Sequence, residues 1–183
     1  MINELANHIM RSADGRRPVV LIDGGSGAGK TTLATQLALR LRRRWPSLQL
    51  VSLDQIYPGW GGLAAASEAV VHDVLRPIDP GFRRWNWTTS EPADWVALNP
   101  HAPIIIEGCG SLTRESAPLA TTSVWVEMPA DERKRRALER DGDGFRPHWD
   151  EWATQEAVHW QANEPWTLTD VVITGYGVAH EER

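Results

Sequence analysis

The sequence contains one cysteine, Cys109, among its 183 residues. A lone cysteine excludes an intramolecular disulfide and a thiolate zinc cluster, and such usage is typical of a reducing compartment. No apolar run approaches the roughly 20 residues needed to cross a bilayer. The first residues are mixed and polar, which is not the pattern of a secretory signal. We therefore expect a cytoplasmic protein with no membrane partner.

Positive charge and small aromatic residues are also scarce. Lysine and arginine total 19 against 24 aspartate and glutamate, so the net charge is −5, which disfavours a duplex nucleic-acid partner. Two tyrosines and two phenylalanines stand against ten tryptophans. Packing in the core or in a lid is expected for most of these tryptophans, and a few could line an aromatic pocket. The length suits one domain, which we predict to span residues 1–183.

Apolar patterning predicts alternating strands and helices. Strands are predicted at 18–23, 48–54, 102–108, 122–128 and 170–175, and helices at 2–11, 31–45, 66–76, 130–140 and 148–163. We expect residues 77–101 to be mostly irregular and 141–147 to be a flexible turn. Strands that alternate with helices pair in parallel through right-handed crossovers, so the fold class is α/β with three layers.

Between the first strand and the next helix, residues 24–31 read GGSGAGKT. This string fits GxxxxGK[ST], a loop whose backbone N–H groups cradle phosphate at the start of a helix. We expect Lys30 to reach the β- and γ-phosphates and the hydroxyl of Thr31 to bind Mg²⁺. The predicted nucleotide-binding residues are Gly25, Ser26, Gly27, Ala28, Gly29, Lys30, Thr31 and Thr32.

Several nucleotide-dependent classes lack their signatures. The sequence has no Asn-Lys-x-Asp string for a GTPase and no LSGGQ string for a transporter ATPase. At this length the remaining class is chiefly a small-molecule kinase. Such an enzyme needs an acceptor base, a carboxylate beside the metal and an arginine lid.

Two carboxylates end predicted strands. Asp54, in SLDQIY, follows the second strand, and Glu107, in PIIIEG, ends the third. Ligands of open parallel sheets lie at this edge. Asp54 is therefore the candidate to deprotonate or orient an acceptor hydroxyl, and Glu107 the candidate to support the metal. The alternatives are a solvated strand-end aspartate and a cap for the following turn.

The charged helix supplies the third part. Arg133, Arg136 and Arg140 follow one another at i, i+3 and i+7, which places them on one helix face. We predict a mobile lid at about 133–147, in which Arg136 and Arg140 act on the transferring phosphoryl group. An ordinary solvated helix is the alternative.

Together these segments resemble the uridine kinase-like group of P-loop kinases, which includes phosphoribulokinase and pantothenate kinase. The resemblance covers about residues 18–175 and lies in DGGSGAGKTT, SLDQIY, IIIEG and DERKRRALERD. LDQIYPGW and FRRWNW look closer to actinobacterial-type proteins labelled uridine kinase or ATP-binding protein. The resemblance implies a P-loop NTPase fold with strand order 2-3-1-4-5, a small helical lid, ATP and Mg²⁺ as cofactors, and a monomer or homodimer.

The acceptor segment departs from that group. Where uridine kinases have Tyr-Asp-Phe-x-x-His, residues 85–90 read WNWTTS, so Asn86 replaces the aspartate and no histidine follows. A hydroxyl on a small molecule, nucleoside-like among the candidates, is therefore better supported than uridine itself. The predicted substrate-binding residues are Tyr57, Trp60, Arg84, Trp85 and Trp87, each with loop packing as its alternative.

Two other functions stay open. One is a nucleotide-binding regulator or degenerate kinase that does not transfer phosphate. The other is a nucleoside-monophosphate kinase, for which Arg76, Arg83 and Arg84 are candidates to grip the acceptor phosphate. Outside these sites, we expect Cys109 to be a buried filler rather than a nucleophile. We expect Trp149, Trp152 and Trp160 to dock the last helix.

Overall fold

A computed structural model describes residues 1–174 of the chain. Its strands are β1 Val19–Asp23, β2 Gln49–Ser52, β3 Gly81–Asn86, β4 Glu91–Ala97, β5 Ile104–Glu107, β6 Thr122–Glu127 and β7 Val171–Thr174. Five of them form a parallel sheet in the order β2-β5-β1-β6-β7, and β3 and β4 form a separate hairpin. The predicted α/β class with a five-stranded parallel sheet is confirmed. Residue 175, the last of the predicted fifth strand, lies outside the described residues.

The strand order is not the expected 2-3-1-4-5 when every strand is numbered, because the chain contains two strands more than predicted. Those two, β3 and β4, come after β2 and before β5 in the sequence, and they do not belong to the main sheet. The five predicted strands themselves neighbour one another as expected. β1 lies in the centre, paired with β5 on one side and with β6 on the other.

Helices cover both faces of the sheet. They are α1 Ile2–Ala13, α2 Lys30–Leu41, α3 Leu63–Ala69, α4 Ala130–Asp141 and α5 Trp149–Asn163. Alternate residues of β1 point to opposite faces, so Val20 and Ile22 pack with α1 and α2 while Leu21 packs with α3 and α5. All five residues of β1 are buried. Burial on both faces explains why this strand reads as a continuous apolar run.

The predicted helix at 66–76 begins earlier than expected. α3 starts at Leu63 and continues into a wider helical turn, Val70–Val74, whose hydrogen bonds span five residues. Gly62 precedes the helix, and the glycine-rich stretch before it hid its start from the apolar pattern. The other helix ends differ from prediction by a few residues, the usual uncertainty at frayed ends.

The prediction that residues 77–101 are mostly irregular is wrong. Most of this segment is the antiparallel hairpin β3–β4. Most of its side chains are exposed or half-buried, with Gly81 and Phe82 as the buried pair in β3. A ribbon that lies largely in solvent needs no apolar alternation, and Pro92 and the tryptophans gave the segment the composition of a loop.

Residues 141–147, predicted as a flexible turn, contain two short 3₁₀ turns, Gly142–Gly144 and Arg146–His148. Phe145 lies between them and is buried in the core. Its side chain anchors the segment that joins α4 to α5. Along residues 1–174, no helix has both the length and the apolar character needed to cross a bilayer.

Candidate active site

The residues of the candidate site lie at the carboxyl ends of three neighbouring strands. β1 runs into the phosphate-type loop, residues 24–31, while β5 ends in Glu107 and β2 is followed by a 3₁₀ turn that carries Asp54. The register pairs Glu107 with Ile22 of β1 and with Ser52 of β2. Parallel pairing therefore brings the loop and both predicted carboxylates to one edge of the sheet.

Glycines shape the phosphate-type loop. Gly27 and Gly29 have φ angles of 82° and 102°, in the left-handed region that side chains rarely adopt. A Cβ at Gly27 would also collide with the backbone carbonyl of Arg133, at the start of α4. The loop is thus curled, and α4 packs directly against its back.

Lys30 is buried at the first position of α2. Its Nζ donates to the Gly25 carbonyl at 3.0 Å and contacts Cys109 Sγ at 3.3 Å. Burial opposes the charged ammonium, but the facing groups, Cys109, Glu107 and two more carboxylates, raise the pKa of Lys30 above its ordinary value. Burial also raises the pKa of the Cys109 thiol. Cys109 is buried, as predicted.

Thr31 and Glu107 form the predicted metal pair. The Thr31 hydroxyl donates to Glu107 Oε1 at 3.1 Å. Burial raises the pKa of Glu107, against the opposing effect of Lys30. No group of three or more His, Cys, Asp or Glu side chains in residues 1–174 is arranged to hold a metal by itself. A hydroxyl beside one carboxylate fits Mg²⁺ of the kind that takes its remaining ligands from phosphate and water.

Two cavities meet beside the loop. The loop cavity, about 160 Å³, is lined by Gly27, Gly29, Lys30, Thr31, Thr32, Arg136 and Arg140. The aromatic cavity, about 360 Å³, is lined by Ser26, Thr31, Asp54, Tyr57, Trp60, Trp87, Arg140, Asp141, Phe145 and Trp152. They share Thr31 and Arg140, so a phosphate held in the first would lie next to a molecule held in the second.

Aromatic contacts build the second cavity from distant segments. Trp60 stacks on Phe145 and on His148, with ring centroids 5.2 Å and 4.5 Å apart, and meets Trp87 at 4.8 Å. The indole N–H of Trp87 donates to the backbone carbonyl of Asp54 at 2.8 Å. The hairpin β3–β4 is thereby attached to the segment that carries the candidate base.

The predicted substrate-binding residues divide between two places. Tyr57, Trp60 and Trp87 line the aromatic cavity. Arg84 and Trp85 do not; they line a neighbouring cavity that shares Asp54 and Trp87 with the aromatic cavity. The role predicted for these two in substrate binding stays a prediction, now for a cavity that adjoins the aromatic one at Asp54.

The predicted arginine row also divides. Arg136 and Arg140 border the loop cavity. Arg133, expected on the same face, is buried and ion-paired with Glu156 at 3.3 Å, and its guanidinium lies against Gly25. Arg133 therefore anchors α4 to the loop and is not available to move with a lid.

Three residues of the site region had not been singled out. Asp23, at the end of β1, accepts hydrogen bonds from the backbone N–H groups of Gly24, Gly110 and Leu112. His159 Nε2 lies 3.3 Å from Asp23 Oδ2. Glu156 Oε1 accepts a hydrogen bond from the backbone N–H of Ser26 in the loop.

A signal for two of them is visible in the sequence. Trp149, Trp152, Glu156 and His159 are the buried residues of α5, at helical spacing. Predicted only to dock the helix, Trp152 also lines the aromatic cavity. Glu156 and His159 share a helix face with core tryptophans. Polar side chains on such a face are expected to form hydrogen bonds in the interior.

Comparisons with known proteins agree with this architecture. No family model matches the chain. A cytidylate kinase of Ignicoccus hospitalis is 27% identical over 149 residues, which cover 78% of this chain and 76% of that protein.

Two solved structures share the fold. One, named as a possible uridine kinase from Bacillus stearothermophilus, has a TM-score of 0.60 and 20% identity, over 93% of this chain and 99% of that one. The other, from Silicibacter sp. TM1040 and named for a fructose transport system kinase, has a TM-score of 0.61 and 17% identity, over 94% and 98%. The chain therefore shares the fold of these two structures, in agreement with the fold class that its motifs predicted.

Proposed function

We propose that this protein is an ATP- and Mg²⁺-dependent kinase that phosphorylates a hydroxyl of a small molecule with a flat ring, such as a nucleoside. The observation that carries the proposal is the meeting of the loop cavity and the aromatic cavity at Thr31 and Arg140. Transfer from ATP to an acceptor requires this arrangement of two adjoining sites.

On the nucleotide side, the loop amides and Lys30 would hold the β- and γ-phosphates. The Lys30 ammonium now donates to the Gly25 carbonyl, and a triphosphate offers it a stronger, charge-assisted partner. Thr31 and Glu107 would hold Mg²⁺, which supplies charge neutralisation across the phosphate oxygens. Arg136 and Arg140 border the same space and would stabilise negative charge during transfer.

On the acceptor side, Asp54 is the candidate to orient or deprotonate the attacking hydroxyl. It lines the aromatic cavity, and its backbone is held by Trp87. Tyr57, buried with its hydroxyl bonded to the Cys109 carbonyl at 2.9 Å, makes an edge contact with Trp152. Aromatic walls with few charges suit a flat, uncharged ring.

A nucleoside-monophosphate kinase is the second candidate, favoured by the similarity to a cytidylate kinase. Against it, the arginines predicted to grip an acceptor phosphate are engaged elsewhere. Arg84 pairs with Asp94 at 2.7 Å, Arg83 donates to the Ala93 carbonyl, and Arg76 donates to the Asp79 carbonyl. In the described chain, Arg140 is the one basic residue lining the aromatic cavity, and it is bonded to Asp141.

The test is transfer from γ-labelled ATP with Mg²⁺ to matched pairs of acceptors: each common nucleoside and its 5′-monophosphate. We expect phosphorylated product from one or more nucleosides and at least tenfold lower kcat/KM for the matching monophosphate. Preference for a monophosphate would establish the second candidate instead. Nucleotide binding without product from these acceptors or from a mixed metabolite extract would support a regulator that binds ATP without transfer.

A further inference from the structure

Glu156, on α5, is a buried carboxylate that receives hydrogen bonds from three other segments and from its own helix. It is 2% exposed. Oε1 accepts from the Ser26 backbone N–H at 2.6 Å, from Trp152 Nε1 at 3.1 Å and from the Cys109 thiol at 3.2 Å. Oε2 faces Arg133 Nη1 at 3.3 Å. These donors belong to the loop, to α5 itself, to the turn after β5 and to α4.

Burying the charge of Glu156 costs hydration free energy, and a contribution to fold stability does not by itself explain why a charged residue occupies this position. A buried ion pair gains little over well-packed apolar side chains, because both charges lose their hydration. Trp149 and Trp152, on the same buried face, already supply apolar packing for the helix. The carboxylate adds directional hydrogen bonds, which fix the positions of the donor groups relative to one another.

The first group held is the phosphate-type loop. Glu156 takes the N–H of Ser26, and Arg133, oriented by Glu156, donates to the Ser26 carbonyl at 3.4 Å. Both backbone polar groups of one loop residue are thus tied to the same ion pair. The guanidinium of Arg133 also fills the space beside Gly25, so the ion pair supports the loop from behind.

The second group held is the arginine helix. Arg133 lies in the first turn of α4, and Arg136 and Arg140 follow one and two turns later on the side of the loop cavity. A helix is stiff over this distance, so the position of its first turn sets that of both arginines relative to the phosphate. Trp160 covers the Arg133 guanidinium, 5.2 Å from its ring centroid, and closes this anchor from solvent.

The third group held is the wall of the aromatic cavity. Trp152 lines that cavity and donates to the same oxygen, Oε1, as Ser26. Cys109 donates to it as well and also contacts Lys30 Nζ at 3.3 Å. One oxygen atom therefore joins the phosphate loop to the acceptor wall.

We propose that Glu156 is a positioning residue that sets the phosphate loop, the lid arginines and the acceptor wall relative to one another. It acts through Ser26, Arg133 and Trp152 and touches neither substrate. The effect on transfer rests on the proposed kinase function, whereas the effect on the loop is expressed in nucleotide binding alone.

The test uses Glu156→Gln, Arg133→Gln and the double variant in the full chain. Glutamine keeps the shape of Glu156 and an oxygen for Ser26, but it removes the charge that orients Arg133. The matched control is Asp150→Asn, which removes an exposed ion pair between the same two helices, Lys134–Asp150 at 3.8 Å. Each protein is measured for melting temperature, for ADP affinity by calorimetry, and for kcat and KM with ATP.

For Glu156→Gln we expect a lower melting temperature, ADP binding about tenfold weaker and a fall in kcat of about tenfold or more, the scale seen when supporting residues of a site are lost. The double variant has no unpaired buried charge, so its melting temperature should recover toward that of the native protein. Its ADP affinity and kcat should stay low, because the guanidinium that ties α4 to the Ser26 carbonyl is missing. The control should match the native protein.

Recovery of ADP affinity together with melting temperature in the double variant would overturn the proposal and leave Glu156 a structural residue. Native ADP affinity in Glu156→Gln would do the same. If the single variant does not fold, the double variant decides by the same criterion. If the native protein transfers phosphate to no acceptor, the kinase proposal fails, while ADP affinity still tests the role of Glu156 in holding the loop.

Discussion

The nucleotide side and the acceptor side of this site are built in opposite ways. Residues 24–31 join β1 to the first turn of α2, and a local run of glycines, Lys30 and Thr31 accounts for most of the nucleotide side. The aromatic cavity takes its walls from segments far apart in sequence: the turn after β2, the hairpin β3–β4, the end of α4 and α5. One side is specified by adjacent residues and the other by packing between distant ones.

The contrast teaches where substitution is tolerated. Backbone N–H groups that cradle phosphate depend on a conformation that only glycine adopts easily, so the loop has little freedom in sequence. An aromatic wall depends on ring faces, which any of several large residues at several positions can provide. The acceptor is therefore the less predictable half of the reaction.

The largest expected effect breaks the nucleotide side. Lys30→Ala should lower kcat/KM by about 1,000-fold, the scale for losing one preorganised charged donor to a reacting group. Nucleotide affinity should fall as well, because the ammonium is the cation buried deepest in the loop cavity. Steady-state kinetics and ADP calorimetry measure both quantities.

The control for that change is Lys134→Ala, an exposed lysine on α4 that lies over Trp149. It should retain native kinetics. Circular dichroism should show that Lys30→Ala is folded. Native turnover by folded Lys30→Ala would remove the loop from the reaction.

The next largest effect is expected at Asp54, where substitution should slow transfer without changing nucleotide affinity. Asp54→Asn should lower kcat by about 100-fold, within the range for loss of a general base, and leave ADP affinity unchanged. Asparagine keeps the backbone carbonyl that accepts from Trp87, so the cavity should keep its shape. Single-turnover kinetics at saturating ATP isolate the transfer step.

Normal turnover in Asp54→Asn would take this carboxylate out of the mechanism. Weakened ADP binding would mean that Asp54 helps to hold the metal instead. The matched control is Asp73→Asn, a half-buried aspartate near Arg76 that is absent from both cavities.

The same contrast explains how much the sequence could predict. Strong local signals predicted the parallel sheet, the loop, and the positions of Lys30, Thr31 and Glu107 at one sheet edge. The hairpin β3–β4 was missed because its strands are largely solvated and carry no periodic apolar pattern. Apolar periodicity arises where one face of an element is buried, so a ribbon without a buried face has no such pattern in its sequence.

Long-range partners were the other limit. Helical spacing alone grouped Arg133 with Arg136 and Arg140, whereas burial separates them, because α4 packs its first turn on the loop. The role of Trp152 was missed for the same reason, since its cavity face exists only once α5 meets the turn that carries Tyr57. Spacing shows which residues share a face and does not show what that face meets.

A smaller effect is expected on the acceptor side. Trp60→Leu should raise the acceptor KM by about tenfold, as expected for removal of one aromatic wall, with kcat and ATP KM near native values. Trp60 contacts Trp87, Phe145 and His148, so neighbouring rings preserve most of the cavity. Kinetics with varied acceptor at fixed ATP give the three constants.

Trp95→Leu is the matched control, because Trp95 is a hairpin tryptophan that packs on Arg76 and Arg83 away from the aromatic cavity. Its acceptor KM should stay native. Equal effects of the two substitutions would show that loss of Trp60 acts through stability rather than through loss of a ring wall.

The smallest effect sharpens the choice of acceptor. Arg84→Ala should change kcat/KM for a nucleoside by less than about twofold, because its exposed ion pair with Asp94 carries little energy and lies outside the aromatic cavity. An acceptor phosphate gripped by Arg84 would instead make kcat/KM for the monophosphate fall at least tenfold while the nucleoside value stayed constant. Asp94→Asn frees Arg84 without removing it, so it should raise monophosphate activity only if that arginine reaches the acceptor. Unchanged kinetics in both variants would place recognition in the aromatic cavity and leave the hairpin arginines as surface residues.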